Sequence, residues 1–142
     1  MKRILFTISL LLSIGFMLSG QTSDSFVSAC VMNAGKDAKY LKDFRVELGK
    51  APGQELRYKA NISLWKNTKY RFTMCTENSK GELYISLKDD ANKVVLTSYD
   101  KQTGKVYTFI DFVCNKSGIY QLNYDFTGGE QGSGVGVISM VK

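Results

Sequence analysis

Few side chains in this chain can do chemistry, and the first thing they exclude is imidazole chemistry. No histidine occurs among the 142 residues, so neither a Ser-His-Asp nor a Cys-His arrangement can form, because the general base is missing. Zinc sites built on histidine go with it. The three cysteines, Cys30, Cys75 and Cys114, have no Cys-x-x-Cys spacing that would make a structural zinc site. Carboxylates remain. Asp89 and Asp90 are adjacent, and if Glu82 and Asp100 gather with them at one end of the fold, their oxygens suit calcium. The same pair, close to Asn92, is also ordinary turn chemistry. A paired-carboxylate glycosidase needs two such groups across a cleft, and a small sandwich rarely holds a cleft of that size. Catalysis is therefore not expected, and no cofactor is implied.

Two further features bear on ligands. Gly128 to Gly134 is glycine-rich but precedes a predicted strand, whereas phosphate-cradling loops open a helix. It reads as a flexible hairpin loop. Neither a Gly-x-x-x-x-Gly-Lys-Ser/Thr nor a Gly-x-Gly-x-x-Gly pattern after a strand is present. The aromatic residues are more promising. By strand parity Trp65 falls opposite Leu64 where a strand meets its turn, and Tyr84 and Tyr99 point outward. Aromatic platforms with polar neighbours stack on sugar rings or anchor a partner protein. The competing role for Trp65 is to cover the end of the core, since large aromatic residues are mostly buried.

The elements that must position these residues are strands. From Phe44 onward the apolar period is two: Phe44, Val46 and Leu48, then Tyr58, Ala60, Ile62 and Leu64, then Tyr70, Phe72 and Met74, then Leu83, Ile85 and Leu87. Val94–Ser98, Tyr107–Cys114, Tyr120–Phe126 and Val135–Val141 complete the series, with Gly/Asn/Asp/Lys turns between. One apolar face per strand predicts sheets that bury one side and wet the other. The fold class expected is all-β: a two-sheet antiparallel β-sandwich, jelly-roll-like, of about eight strands. Phe26–Leu41 gives a mixed signal, because Val27, Val31, Ala34, Ala38 and Leu41 sit at helical spacing while Asn33 and Gly35 interrupt them. A short strand or helical turn is expected there.

Domain organisation follows from the N-terminus. Lys2 and Arg3 precede an uncharged run from Ile4 to Ser23, mostly apolar through Ile4–Leu12 and again at Gly15–Leu18, with the small Gly20 suited to the position before cleavage. That is the layout of a secretory signal, and Ser9, Ser13, Gly15 and Ser19 dilute it below what a spanning helix requires. Residues 1–20 are read as a signal peptide, 21–43 as a segment leading into the domain, and 44–142 as the sandwich. Leu18-Ser19-Gly20 approaches a lipidation site, but Gln21 stands where the acylated cysteine would be. No membrane anchor is expected after cleavage, and the protein is expected to be secreted or periplasmic. Export makes nucleic acid an unexpected partner. The net charge of +6 carries no block of five like charges and is first a matter of solubility. In an oxidising compartment two of the three cysteines can pair. Sequence leaves all three pairings open, and Cys75–Cys114 is favoured because each falls near the end of a predicted strand.

Lys66-Asn67-Thr68 running into Tyr70-Arg71-Phe72-Thr73, then Leu83-Tyr84-Ile85-Ser86-Leu87 ending in Asp89, then Ser117-Gly118-Ile119-Tyr120-Gln121-Leu122, form a recognisable series. On these residues the segment from Tyr58 to Val141 resembles the bacterial pre-peptidase C-terminal domain and the related Golgi-dynamics type of sandwich. The whole chain is also similar to small exported bacterial proteins that stand alone instead of being fused to a protease. The resemblance implies a non-catalytic accessory or binding module with a protein or glycan partner. The alternative is a structural or envelope-assembly component with no small ligand.

Overall fold

The structure is a computed structural model that describes residues 23–142; the predicted signal, residues 1–20, lies outside the described residues. Ser23 opens the first element. Its hydroxyl accepts the Phe26 N–H at 3.3 Å and so caps helix α1, Asp24–Asn33, whose first turn carries the acidic Asp24. Gly35, at φ 96°, turns the chain out of the helix. Strand β1 then runs Ala38–Leu48, so residue 44, the expected start of the sandwich, falls inside the first strand. The mixed signal over Phe26–Leu41 resolves into most of a helix followed by the beginning of a strand.

The remaining strands follow the period-two pattern: β2 Tyr58–Leu64, β3 Thr68–Ser79, β4 Leu83–Lys88, β5 Val94–Thr97, the short β6 Tyr99–Asp100 and β7 Lys105–Val106, β8 Phe109–Cys114, β9 Gly118–Phe126 and β10 Gly132–Val141. Two four-stranded sheets result, ordered β1-β10-β3-β8 and β2-β9-β4-β5, and β6 and β7 form a separate two-stranded ribbon. All pairings are antiparallel. Apart from the β4–β5 hairpin and that ribbon, the chain changes sheet at each step, which is the wiring of a jelly roll. The expected sandwich is therefore observed, with the ribbon inserted between β5 and β8. The glycine-rich stretch is only partly a loop: Gly132 and Gly134 already belong to β10.

The core fills the space between the inner faces. Phe44, Val46, Phe72, Met74 and Ile138 come from the first sheet, and Ile62, Leu64, Ile85, Leu87, Leu122 and Tyr124 from the second. Gly136 on β10 leaves room for Tyr124, since any side chain there would overlap the tyrosine ring.

The outer faces differ. On the first sheet α1 lies across β10 and β3, where Cys30, Val135 and Val137 form a second small core with Phe26, Val27 and Val31 packed around it. Arg45 pairs with Asp24 at one end of the helix. At the other, Arg71 donates to the Ala34 carbonyl at 2.8 Å while gripping Asp111 at 2.7 and 3.0 Å. A disulfide joins Cys30 to Cys75 with their Cα atoms 5.9 Å apart.

That bond corrects the expected Cys75–Cys114 pairing. Cys75 alternates with Met74 and faces the helix, whereas Cys114 belongs to the buried core between the sheets. Cys114 stands opposite Thr68 in the β3–β8 register. Seven residues of strand separate Thr68 from Cys75, about 23 Å, far beyond the reach of a disulfide. Cys114 is a free, buried thiol.

Candidate functional site

The outer face of the second sheet carries the polar residues that alternate with the core. Register places them in rows: Asn61, Gln121 and Lys88; then Lys59, Asn123, Ser86 and Thr97; then Asp125 beside Tyr84. Amides, hydroxyls and ammonium groups thus stand on strands about 4.8 Å apart; Lys59, Asn61 and Thr97 are exposed, whereas Ser86, Asn123 and Asp125 between them are buried. Among the described residues no helix lies on this face, in contrast to its counterpart under α1.

The upper end of the face is tied down by one ion pair. Arg57 donates from Nε and Nη2 to Asp125 at 3.0 and 2.8 Å, and its backbone N–H reaches the other carboxylate oxygen at 3.3 Å. Its guanidinium also donates to the carbonyls of Gly49 and Glu130. Asp125 is fully buried and additionally accepts the Phe126 N–H at 2.7 Å. The pair is saturated with hydrogen bonds, so its role is to fasten the β1–β2 loop and the β9–β10 loop to the sheet. Gly129, at φ 65°, brings those loops into contact, its carbonyl accepting the Ala51 N–H at 2.9 Å where a side chain would strike the Ala51 backbone.

Against this frame lies a recess of about 300 Å³ lined by Gln54, Glu55, Tyr84, Tyr99 and Lys101. The Tyr84 and Tyr99 rings meet at 5.1 Å between centroids, tilted by 47°. Burial, then the charges of Asp125 and Glu55, push the Tyr84 hydroxyl up to about 12, so it stays a neutral donor near neutrality. Lys101 and Glu55 pair at 2.6 Å on the exposed rim. Leu56, next to this rim, holds a left-handed φ of 53°, a strained conformation for a branched side chain.

The sequence-derived residues divide between the two ends of the sandwich. Tyr84 and Tyr99 come together at the recess, and Tyr84 lies on the outer face as parity indicates. It is nevertheless only 5% exposed, and Tyr99 is the more accessible ring of the pair. Trp65 lies at the opposite end, in the β2–β3 turn, where its backbone N–H donates to the Tyr70 hydroxyl at 2.8 Å. At 69% exposure it does not roof the core.

Asp89 and Asp90 also lie at that far end. Strand β4 runs between Glu82 and Asp89, and Asp100 follows β5 back toward Glu82, so the four carboxylates do not gather. One Asp89 oxygen accepts the Ala91 and Lys93 N–H groups at 3.0 and 2.9 Å, and Asp90 pairs with Lys116 at 3.6 Å. Asp89 thus closes its own turn, while Asp90 makes an exposed ion pair to the β8–β9 turn, and both line the cleft at this end. Among the described residues no group of three or more acidic or cysteine side chains is placed to hold a metal ion, and no helix is long and apolar enough to cross a membrane.

Sequence reasoning passed over Arg57, Asp125, Gln54 and Glu55. The available signal was an acidic residue, Asp125, at an outward position of an otherwise apolar strand end. The chain matches no family model and no curated protein.

Proposed function

We propose that this protein is an exported, non-catalytic binding module that recognises a glycan on the outer face of its second sheet. The observation that carries the reading is the unequal covering of the two sheets: α1 is bolted over one outer face, and the other presents Lys59, Asn61, Thr97 and the half-buried Lys88 and Gln121 around a buried Ser86 and Asn123, leading to the Tyr84–Tyr99 recess. Sugar hydroxyls pair with such groups, and a sugar's apolar face stacks on an aromatic ring. The absence of histidine and the dispersal of the carboxylates support a role without catalysis. Export rests on the charge and hydropathy pattern of residues 1–20, and the Cys30–Cys75 bond suits an oxidising compartment. The likeness to pre-peptidase C-terminal sandwiches, with the accessory role it implies, points the same way.

The test is a panel of neutral, acidic and amino sugar polymers titrated into the protein by calorimetry. Saturable binding that weakens about tenfold in Tyr99→Ala, about 1.4 kcal/mol, and is unchanged in Trp65→Ala supports the reading. No saturable binding across the panel overturns it. A second reading, an envelope-assembly component, is favoured by the exposed apolar side chains Val94, Val113 and Ile119, which line one cleft at the far end of the sandwich.

A further inference from the structure

Four strands end the two sheets, β1 and β8 in one and β2 and β5 in the other. A free strand edge offers unpaired N–H and C=O groups to any other strand, and proteins normally guard it with lysine, proline, bulges or shortness. Three of the four edges are guarded. β1 shifts register between Tyr40 and Lys42 and carries Lys39, Lys42 and Arg45. β2 carries Lys59. β5 is four residues long, and its pairing shifts at Leu87/Lys88.

β8 has none of these devices. Phe109-Ile110-Asp111-Phe112-Val113-Cys114 contains no lysine, arginine or proline, and its register with β3 is unbroken from Thr68↔Cys114 to Thr73↔Phe109. Its one charge is turned back into the sheet, because Asp111 is held by Arg71 on β3. Phe109 and Val113 are 52% and 57% exposed. Beside the lower half of β8 lies a cleft of about 440 Å³ whose apolar wall is Val94, Val95, Phe112, Val113, Ile119 and Tyr120 and whose polar wall includes the Asp89–Asp90 turn, Lys93 and Lys116.

We infer that β8 is a strand-addition site. An extended segment of a partner polypeptide pairs its backbone with the free edge of β8, sets an apolar residue against Phe109 or Val113, and sends an alternate bulky side chain into the cleft between β8 and β5. Backbone pairing supplies the affinity in this mode, and the pocket for alternate side chains supplies the selectivity. A polypeptide is the occupant because only another strand satisfies a row of backbone donors and acceptors at this spacing. The inference is independent of the glycan reading, which concerns another face and other residues.

A library of random extended peptides displayed on phage, panned on the purified protein and counter-selected on Val113→Lys, tests it. Val113 is exposed, so the lysine guards the edge without touching the core; thermal unfolding of the variant checks this, and Val94→Lys repeats the test from the β5 side. The expected result is enrichment of sequences with apolar residues at alternate positions. Their binding should fall at least tenfold in Val113→Lys and shift backbone amide resonances of Phe109–Cys114. No enrichment over the counter-selection overturns the inference, as do amide shifts confined to other strands. A concentration-dependent dimer that Val113→Lys abolishes replaces the foreign partner with a second copy of this chain.

Discussion

The disulfide between α1 and β3 yields the sharpest test of the architecture. Replacing Cys30 and Cys75 together by alanine removes a cross-link spanning 45 residues of sequence. The chain-entropy treatment gives about 4 kcal/mol for a loop of this length as an upper figure. A fall in Tm of about 10–20 °C follows for a domain of this size. The loss is not uniform. α1 has ten residues, too few for a helix to persist unaided in water, and fixing its backbone costs on the order of 10 kcal/mol. Against that stand its internal hydrogen bonds, the half-buried Phe26, Val27 and Val31, and the contacts of Arg45 and Arg71. The ten strands share none of their ladder bonds with the helix. Amide hydrogen exchange of the double variant, or of the reduced protein, should therefore show α1 almost unprotected while β3, β9 and β10 keep protection close to the global stability. If Tm moves by less than about 2 °C and α1 stays as protected as the strands, the reasoning that the cross-link holds the helix down is refuted.

Other substitutions probe the interior. Tyr124 is fully buried and its hydroxyl finds no hydrogen-bond partner among the described residues, so Tyr124→Phe should leave stability unchanged or raise it by about 1–2 kcal/mol in guanidinium unfolding; a loss above about 1 kcal/mol contradicts this. Gly136→Ala pushes a methyl group into the Tyr124 ring and should cost about 1–3 kcal/mol, checked by the same titration. Arg57→Leu strands the buried Asp125 carboxylate and should cost about 3–5 kcal/mol, with less than 1 kcal/mol counting against the cross-tie described above. In alkali, Tyr84 and Tyr120 are both pushed up to about 12, chiefly by burial. A raised folded pKa means the neutral phenol is the form the fold keeps, so their contribution is complete below about pH 10 and drains away as pH rises through about 12. Tyrosinate absorbance followed alongside circular dichroism should show these two ionising as the fold is lost; full ionisation near pH 11 with the fold intact rules this out.

The strands could be read from the sequence because alternation is a local signal. Phe44/Val46/Leu48 and Tyr70/Phe72/Met74 announce their buried faces without reference to any partner. The helix was harder to see, since Asn33 and Gly35 break a pattern that in fact stops at Asn33; Ser23 before Asp24, the cap, was the overlooked cue. The disulfide was beyond reading for a topological reason. Which cysteines meet depends on which face of β3 carries Cys75, and on α1 lying over that face, and neither is set by strand-end position. Tyr84 shows the limit of parity: it points outward as its neighbours dictate, yet Tyr99, arriving fifteen residues later from the chain's excursion between β5 and β8, covers it. Trp65 is legible as a turn residue, whereas its exposure depends on where the β8–β9 turn, with Ser117 accepting the Lys66 N–H at 2.7 Å, holds the loop.

Because β10 is inserted between β1 and β3, the sheet bearing the helix has no middle until β10 is available. A polypeptide synthesised amino end first can close the β4–β5 hairpin early, but Ala38 must wait for Val141 and Lys69 must wait for the same residue. Closure of the helix-bearing sheet is thereby deferred until β10 has followed the other strands, and the long separation between paired strands makes that step slow.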